Sequence, residues 1–320
     1  MSTYADILTD YFKRKLSKIP DFDVNDVLAY HQTVGKKFYS VHIRIEGGVP
    51  SVISTAPGYG ANNNNFIKFI KSCCQTHDIS DCEVFACLKD TYRGLHNNSY
   101  PLFFRFASGH DNCFPYMDTL ASEITGFIKK PELSLPERNG LILFRGANSG
   151  WARKMVRTPI VKSGELVTVC KADFKYTSSR GNPLLKSRKP KNFVSFSKQQ
   201  DYSFIVSARG QGCWRNSDLV TLGLGAVPVF VRHEDDYDSF LTPLLVSGET
   251  HVDVSWDEDP KVLASRFDDM YQDYLDNPVK YQGIADRARS IYEFLENNDR
   301  LNMRRVFSNN LNLYAERFFQ

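Results

Sequence analysis

Two arginine-bearing segments are the parts of this sequence best suited to do chemistry. The first is Arg145-Gly146-Ala147-Asn148-Ser149-Gly150-Trp151-Ala152-Arg153, and the second is Arg209-Gly210-Gln211-Gly212-Cys213-Trp214-Arg215. Each follows a short apolar run, LILF at 141–144 and YSFIVS at 202–207. Glycine lets the backbone approach a ligand closely, and a helix that starts after such a loop offers free N–H donors. Arginine adds a rigid fork matched to phosphate oxygens. One segment of this kind suits a phosphate, and two in one domain suit a diphosphate. Neither reads GxxxxGK[ST], and no GxGxxG is present, so a P-loop nucleotidase and a dinucleotide-binding fold are disfavoured.

The charge distribution fits an anionic ligand. The formal net charge is only +3, but it is unevenly spread. Between Arg145 and Lys198 there are 13 Lys and Arg against 2 Asp and Glu, a balance of +11. Between Glu234 and Asp276 there are 13 Asp and Glu against 2 Lys and Arg, a balance of −11. Such polarisation favours a negatively charged partner at the basic half. The seven cysteines form no paired CxxC, and the seven histidines show no HxxxH or HExxH spacing, so a metal centre is not indicated. No run approaches 18 consecutive apolar residues, and the first twenty residues are polar and charged. Together with the odd cysteine count, this predicts a cytosolic chain with reduced thiols.

Strands and helices must hold these segments. Residues 4–17 read as an amphipathic helix, and FYSVHIRI (38–45) as a strand ending at the turn signal Gly47-Gly48. Asn62–Asn65 read as a polar cap for an apolar helix over 66–74. Short strands are expected at 83–88 and 102–106, and the proline- and charge-bearing stretch 129–139 as a linker. Beyond it, strands are expected at 141–144, 166–170, 202–207, 226–231 and 250–254. A short helix is expected from about Asp218, and three more close the chain at 260–275, 278–296 and 299–318. Alternating strands and helices predict an α/β layered fold with a parallel sheet.

Three segments resemble the CAP10-like glycosyltransferases, a family that includes protein O-glucosyltransferases and capsule xylosyltransferases. EVFACLKD (83–90) is similar to the family's apolar strand ending in Arg-Asp, here Lys89-Asp90. LILFRGANSGWAR (141–153) is similar to its apolar Arg-Gly segment with a second arginine eight residues on. DYSFIVSARGQGCWRNSDLVTLGLGAVPVF (201–230) is similar to its donor loop and helix, with Cys213 where serine is usual. The resemblance implies a GT-B fold, two Rossmann-like domains facing a cleft, with an acceptor-side domain at 1–138 and a nucleotide-sugar domain at 139–320. The final helix is expected to cross back. The resemblance also implies an inverting transfer from a UDP-sugar, UDP-xylose or UDP-glucose, to a glycan or glycoprotein hydroxyl, with no required metal or other cofactor. Asp90 would be the catalytic base. Arg145, Arg153, Arg209, Gly210, Gly212, Cys213 and Arg215 would bind the donor diphosphate. Asp173, Trp214 and Asp218 would be contacts to base or sugar.

Three other readings stand beside this one. Asp236-Tyr237-Asp238 and Asp257-Glu258-Asp259 match the DxD of metal-dependent transferases, although in an acidic block they read first as solvated or helix-capping residues. Gly225–Val229 matches the G-x-V-P-V of exostosin-like transferases. The basic 145–198 block, with Phe174, Tyr176, Phe193 and Phe196 interleaved, would also suit a nucleic-acid surface, but no nucleic-acid motif accompanies it.

Overall fold

The computed structural model describes residues 3–29, 40–55, 60–87, 102–104, 107–108, 113–115, 128, 131–140, 142–144, 166–167, 199–208, 216–233, 238–296 and 301–320. The chain divides into two compact units. Unit 1 comprises Met1–Glu123, Tyr237–Leu244 and Phe294–Gln320, and unit 2 comprises Ile124–Asp236 and Leu245–Glu293. The helices used below are α1 (Tyr4–Leu16), α2 (Gly60–Thr76), α3 (Asn216–Gly223), α4 (Pro260–Asp276), α5 (Pro278–Glu296) and α6 (Leu301–Phe318).

Unit 1 is built on a mixed sheet. Strands β1 (Ser40–Glu46) and β2 (Val49–Thr55) form a hairpin, turned by Gly47 and Gly48. Both glycines have positive φ, 54° and 72°, as a two-residue hairpin turn requires. The sequence signalled the turn but not β2, because VPSVIST lies at the sheet edge, exposed along nearly its whole length, and shows no buried stripe. Strand β3 (Cys82–Cys87) pairs antiparallel with β1 on the other side. Strands β4 (Leu102–Phe104) and β6 (Cys113–Pro115) then continue the sheet in parallel. Between them in sequence, β5 (Ala107–Ser108) forms a separate pair with β11 (Asp238–Ser239), which lies in this unit's 237–244 segment.

One face of that sheet carries the core. Val41, Ile43 and Ile45 of β1 and Val84 and Ala86 of β3 pack with Phe12 of α1, Phe66, Phe69, Ile70 and Cys73 of α2, and Phe307, Leu311 and Tyr314 of α6. The α2 residues recur at i, i+3, i+4 and i+7, and this buried stripe outweighs the modest helix preference of asparagine. Helix α2 therefore begins at Gly60, and Asn62–Asn65 lie inside it instead of capping it. Helix α1 is started by a capping box in which Thr3 and Asp6 exchange hydrogen bonds.

Unit 2 holds a five-stranded sheet in the order β12-β10-β9-β7-β8. Its strands are β7 (Ile142–Phe144), β8 (Leu166–Val167), β9 (Phe204–Ala208), β10 (Val227–Arg232) and β12 (Val252–Ser255), and every pairing is parallel. Strand β10 is buried along VPVFV, as a parallel strand covered on both faces must be. Phe204, Val206, Val227 and Val229 pack on Phe267, Met270, Tyr271 and Tyr274 of α4 and on Tyr281 and Ile284 of α5. The three closing helices lie within a few residues of the sequence expectation.

The stretch read as a linker is structured over 131–140 and packs into unit 2. Ser134 and Glu137 cap a short 3-10 turn, Leu135–Glu137, whose Leu135 is fully buried. Arg138 is buried too. Its Nη1 donates to Tyr202 O at 3.1 Å, and its Nη2 to the carbonyls of Leu133 and Leu224, each at 3.2 Å. Gly225, with φ of 67°, passes against this arginine and Pro131, where a Cβ would come within 2.5 Å of the Pro131 ring. A buried guanidinium bonded to carbonyls cannot be replaced cheaply, since both the cation's packing and three acceptors are lost. Arg138→Leu is therefore expected to lower unfolding stability by about 3 kcal/mol, read from the urea midpoint. A midpoint unchanged within error would show that Arg138 does not hold the sheet.

Candidate functional site

The order of the unit 2 sheet creates one distinctive place. From β7 the chain moves outward to β8, returns to β9 on the other side of β7, and then moves outward through β10 to β12. The direction of winding reverses between β7 and β9, and ligands of open parallel sheets lie at the carboxyl ends of the strands beside such a reversal. Strand β7 ends at Phe144, and the next residue in sequence is Arg145. Strand β9 ends at Ala208, and the next is Arg209. Both arginine-glycine segments thus start at neighbouring strand ends on the same edge.

Most residues proposed for the site fall outside the described residues: Asp90, Arg145, Arg153, Asp173, Arg209, Gly210, Gly212, Cys213, Trp214 and Arg215. Asp218 is described. It stands in the first turn of α3, is nearly fully buried, and accepts a hydrogen bond from the Ser207 hydroxyl of β9. Helix α3 is seated beyond it. Leu219, Val220 and Leu222 are buried, and Gly223 lies so close to Tyr292 that a Cβ would come within 2.6 Å of the ring. Arg289 Nη1 also donates to the Gly223 carbonyl.

A second polar cluster stands on β10 and β12. Arg232 Nε donates to Asp253 Oδ1 at 2.7 Å, and His251 Nε2 meets the same oxygen at 3.0 Å. His251 is buried, with its Nδ1 3.2 Å from Thr250 Oγ1. Burial raises the Asp253 carboxyl, but hydrogen bonds and charge from His251 and Arg232 outweigh it and hold the group at about 2. Nearby, His233 stacks on Trp256 with centroids 5.0 Å apart. Arg232, His251 and Asp253 share no sequence motif and meet only through the pairing of β10 with β12.

Several aspartates of the acidic block have local partners. Asp257 accepts from Arg266 at 3.2 Å and from the Asp259 N–H at 2.9 Å, and Asp259 caps α4 by accepting from the Lys261 N–H. The 257–259 triplet thus directs both aspartates to the start of α4. Asp273 accepts from Lys280 and Tyr281, and its carboxyl is held low by those bonds. Of the other triplet, Asp236 and Tyr237 lie outside the described residues, and Asp238 is in β11. Among the described residues no three His, Cys, Asp or Glu converge as a metal site would require.

Unit 1 holds a third cluster that the sequence did not flag. Glu83 of β3 sits between His42 and Arg44 of β1, with its carboxylate oxygens 2.5 Å from His42 Nε2 and 2.6 Å from Arg44 Nε. His42 is buried and stacked on Phe85. Burial lowers the His42 pKa, and the hydrogen bond and charge of Glu83 oppose this without cancelling it. The available signal was the alternation His42-Ile43-Arg44, which places both polar side chains on the sheet face opposite the Ile43 core. The thiols of Cys73, Cys74 and Cys82 are free, and burial pushes Cys73 and Cys82 up to about 12. These are packing residues and not nucleophiles.

No protein-family model matches the chain, and no curated protein matches it. Among the described residues no helix is long and apolar enough to cross a membrane.

The clusters set a pH dependence. Asp253 has a folded pKa below its ordinary 3.8, so its stabilisation is present above that value and is lost as the pH falls towards about 2. Asp253→Asn is expected to lower stability at pH 7 and to flatten the acid limb between pH ~4 and ~2, read by circular dichroism during acid titration. An acid limb identical to that of the parent chain would show that the cluster is not formed.

Proposed function

We propose that this chain is a GT-B glycosyltransferase that moves a sugar, xylose or glucose, from a UDP-sugar to a hydroxyl of a glycan or glycoprotein acceptor. The observation that carries the reading is the start of both arginine-glycine segments at the carboxyl ends of β7 and β9, the strands flanking the winding reversal of a wholly parallel sheet. The ends of β7 and β9 lie on that edge, and in sequence the basic stretch begins directly after β7. A diphosphate is the ligand whose charge and oxygen count match two arginine loops.

The transfer follows from those parts. The acceptor hydroxyl must lose its proton as it attacks the anomeric carbon, and a carboxylate serves as base. Asp90 takes this role. It comes three residues after Cys87, the last residue of β3, whose carboxyl end points the same way as those of β4 and β6. Attack from the face opposite the leaving group inverts the anomeric centre. The UDP leaving group gains charge as the bond breaks, and Arg145, Arg153, Arg209 and Arg215, with the backbone N–H groups of Gly210 and Gly212, stabilise it. No metal is needed where cations of the protein supply this charge. The aspartates of 257–259 are bonded to Arg266 and to backbone N–H groups of α4, so a DxD metal mechanism draws no support from them. The cytosol is the proposed compartment.

With UDP in EDTA the protein is expected to melt at a higher temperature, and Asp90→Asn to retain that shift while sugar transfer falls by at least about a hundredfold. Stabilisation that appears only with manganese, or transfer that survives Asp90→Asn, would contradict the mechanism.

A further inference from the structure

We infer that His77, Arg304 and Arg305 form a site in unit 1 that binds a phosphate group, carried by free phosphate or by a phosphorylated small molecule. The site lies where the end of α2 meets α6 and does not rest on the glycosyltransferase reading. Three ties hold these helices together. Phe69 meets Phe307 with ring centroids 5.0 Å apart, and the Ser308 hydroxyl faces the Cys73 thiol. Asn312 accepts from the Ser80 N–H at 2.9 Å and donates to the Asp78 carbonyl at 2.8 Å. The His77 N–H donates to the Cys73 carbonyl at 2.9 Å, which carries the helical path of α2 on to His77. Cys73 and His77 therefore share one face of α2, as Arg304 and Ser308 share one face of α6.

The donors gathered there are unmet. His77 Nε2 and Arg304 Nε are shut off from solvent, and neither has a hydrogen-bond partner. Other arginines close on a carboxylate or a carbonyl, as Arg44 does on Glu83, Arg266 on Asp257 and Arg287 on the Glu249 carbonyl. Among the described residues Arg304 and Arg305 form no such bond. A buried donor without an acceptor is costly, so its place suits a ligand that accepts. Charge says which. The His77 pKa is lowered, by burial first and then by Arg305 and Arg304, with Asp78 opposing less strongly. The ring thus lies in a positive field from two guanidinium groups. A tetrahedral oxyanion takes a guanidinium fork and an imidazole N–H at once, and it offsets more charge than a carboxylate.

The test titrates the full chain with inorganic phosphate, with glycerol phosphate as a phosphomonoester, and with acetate as control. The His77 ring resonance is followed by NMR, assigned through His77→Gln. At least one phosphate probe is expected to move that resonance and to raise the pKa of His77, because a nearby anion favours the charged imidazole. The tighter of the two probes identifies the source as free phosphate or a phosphorylated molecule. Arg304→Gln and the exposed Arg305→Gln, each shown by circular dichroism to be folded, are expected to weaken this binding about tenfold. A His77 resonance that neither phosphate probe moves, an equal response to acetate, or affinity unchanged in both arginine variants overturns the site.

Discussion

The buried guanidinium of Arg138 is the interaction on which unit 2 depends. Parallel strands have no hairpins to fix their starting points, so each must be brought to a common edge by other means. Arg138 does this by donating to the carbonyls of Tyr202, just before β9, and Leu224, just before β10, and to Leu133 of its own segment. The neighbouring backbone repeats the tie, with Asn139 N–H donating to Asp201 O and Val227 N–H to Ser203 O. Burial pushes the Arg138 pKa down, with Asp201 opposing, but a guanidinium stays charged at any physiological pH. The amino edge is thereby locked. The opposite edge carries the strand ends from which the arginine-glycine segments continue in sequence.

Charge in the molecule follows the same division between holding and presenting. Part of the acidic block is met locally. Asp253 meets Arg232 one strand away, Asp257 and Asp273 meet Arg266 and Lys280 nine and seven residues on, and Asp259 meets a helix end. The cluster of Glu83 with His42 and Arg44 likewise closes on itself. The basic stretch from Arg145 to Lys198 holds 13 Lys and Arg against 2 Asp and Glu, the mirror of the acidic block's own balance. A stretch so poor in carboxylates, beginning directly after the carboxyl end of β7, favours an anion from outside the chain.

Legibility in the sequence tracked how local the determining physics is. The closing helices could be placed within a few residues because their apolar periodicity is long and uninterrupted, as in Leu263, Phe267, Met270 and Tyr274 of α4. The buried strands of unit 2 were legible as short apolar runs between breakers. Strand β2 was not, because an exposed edge strand carries no buried alternation to read. The asparagine run 62–65 misled for the converse reason: its local preference for caps yields to the stripe from Phe66 to Cys73 that packs on the sheet. The arginine-glycine segments stood out by composition, yet the order of strands that brings their starting points together is a long-range fact that no local pattern encodes. Ser207 with Asp218, and His251 with Arg232 and Asp253, were invisible for the same reason. Each residue is ordinary alone and acquires meaning only from its partner.

The central claim is that a nucleoside diphosphate docks at the carboxyl edge of the unit 2 sheet, between β7 and β9. Hydrogen exchange mapped over the whole chain with and without saturating UDP, in EDTA, tests it most directly. The account predicts protection concentrated in the peptides that follow Phe144 and Ala208, extending into the first turn of α3. Protection absent there, or concentrated instead around His251 and Asp257, would contradict it.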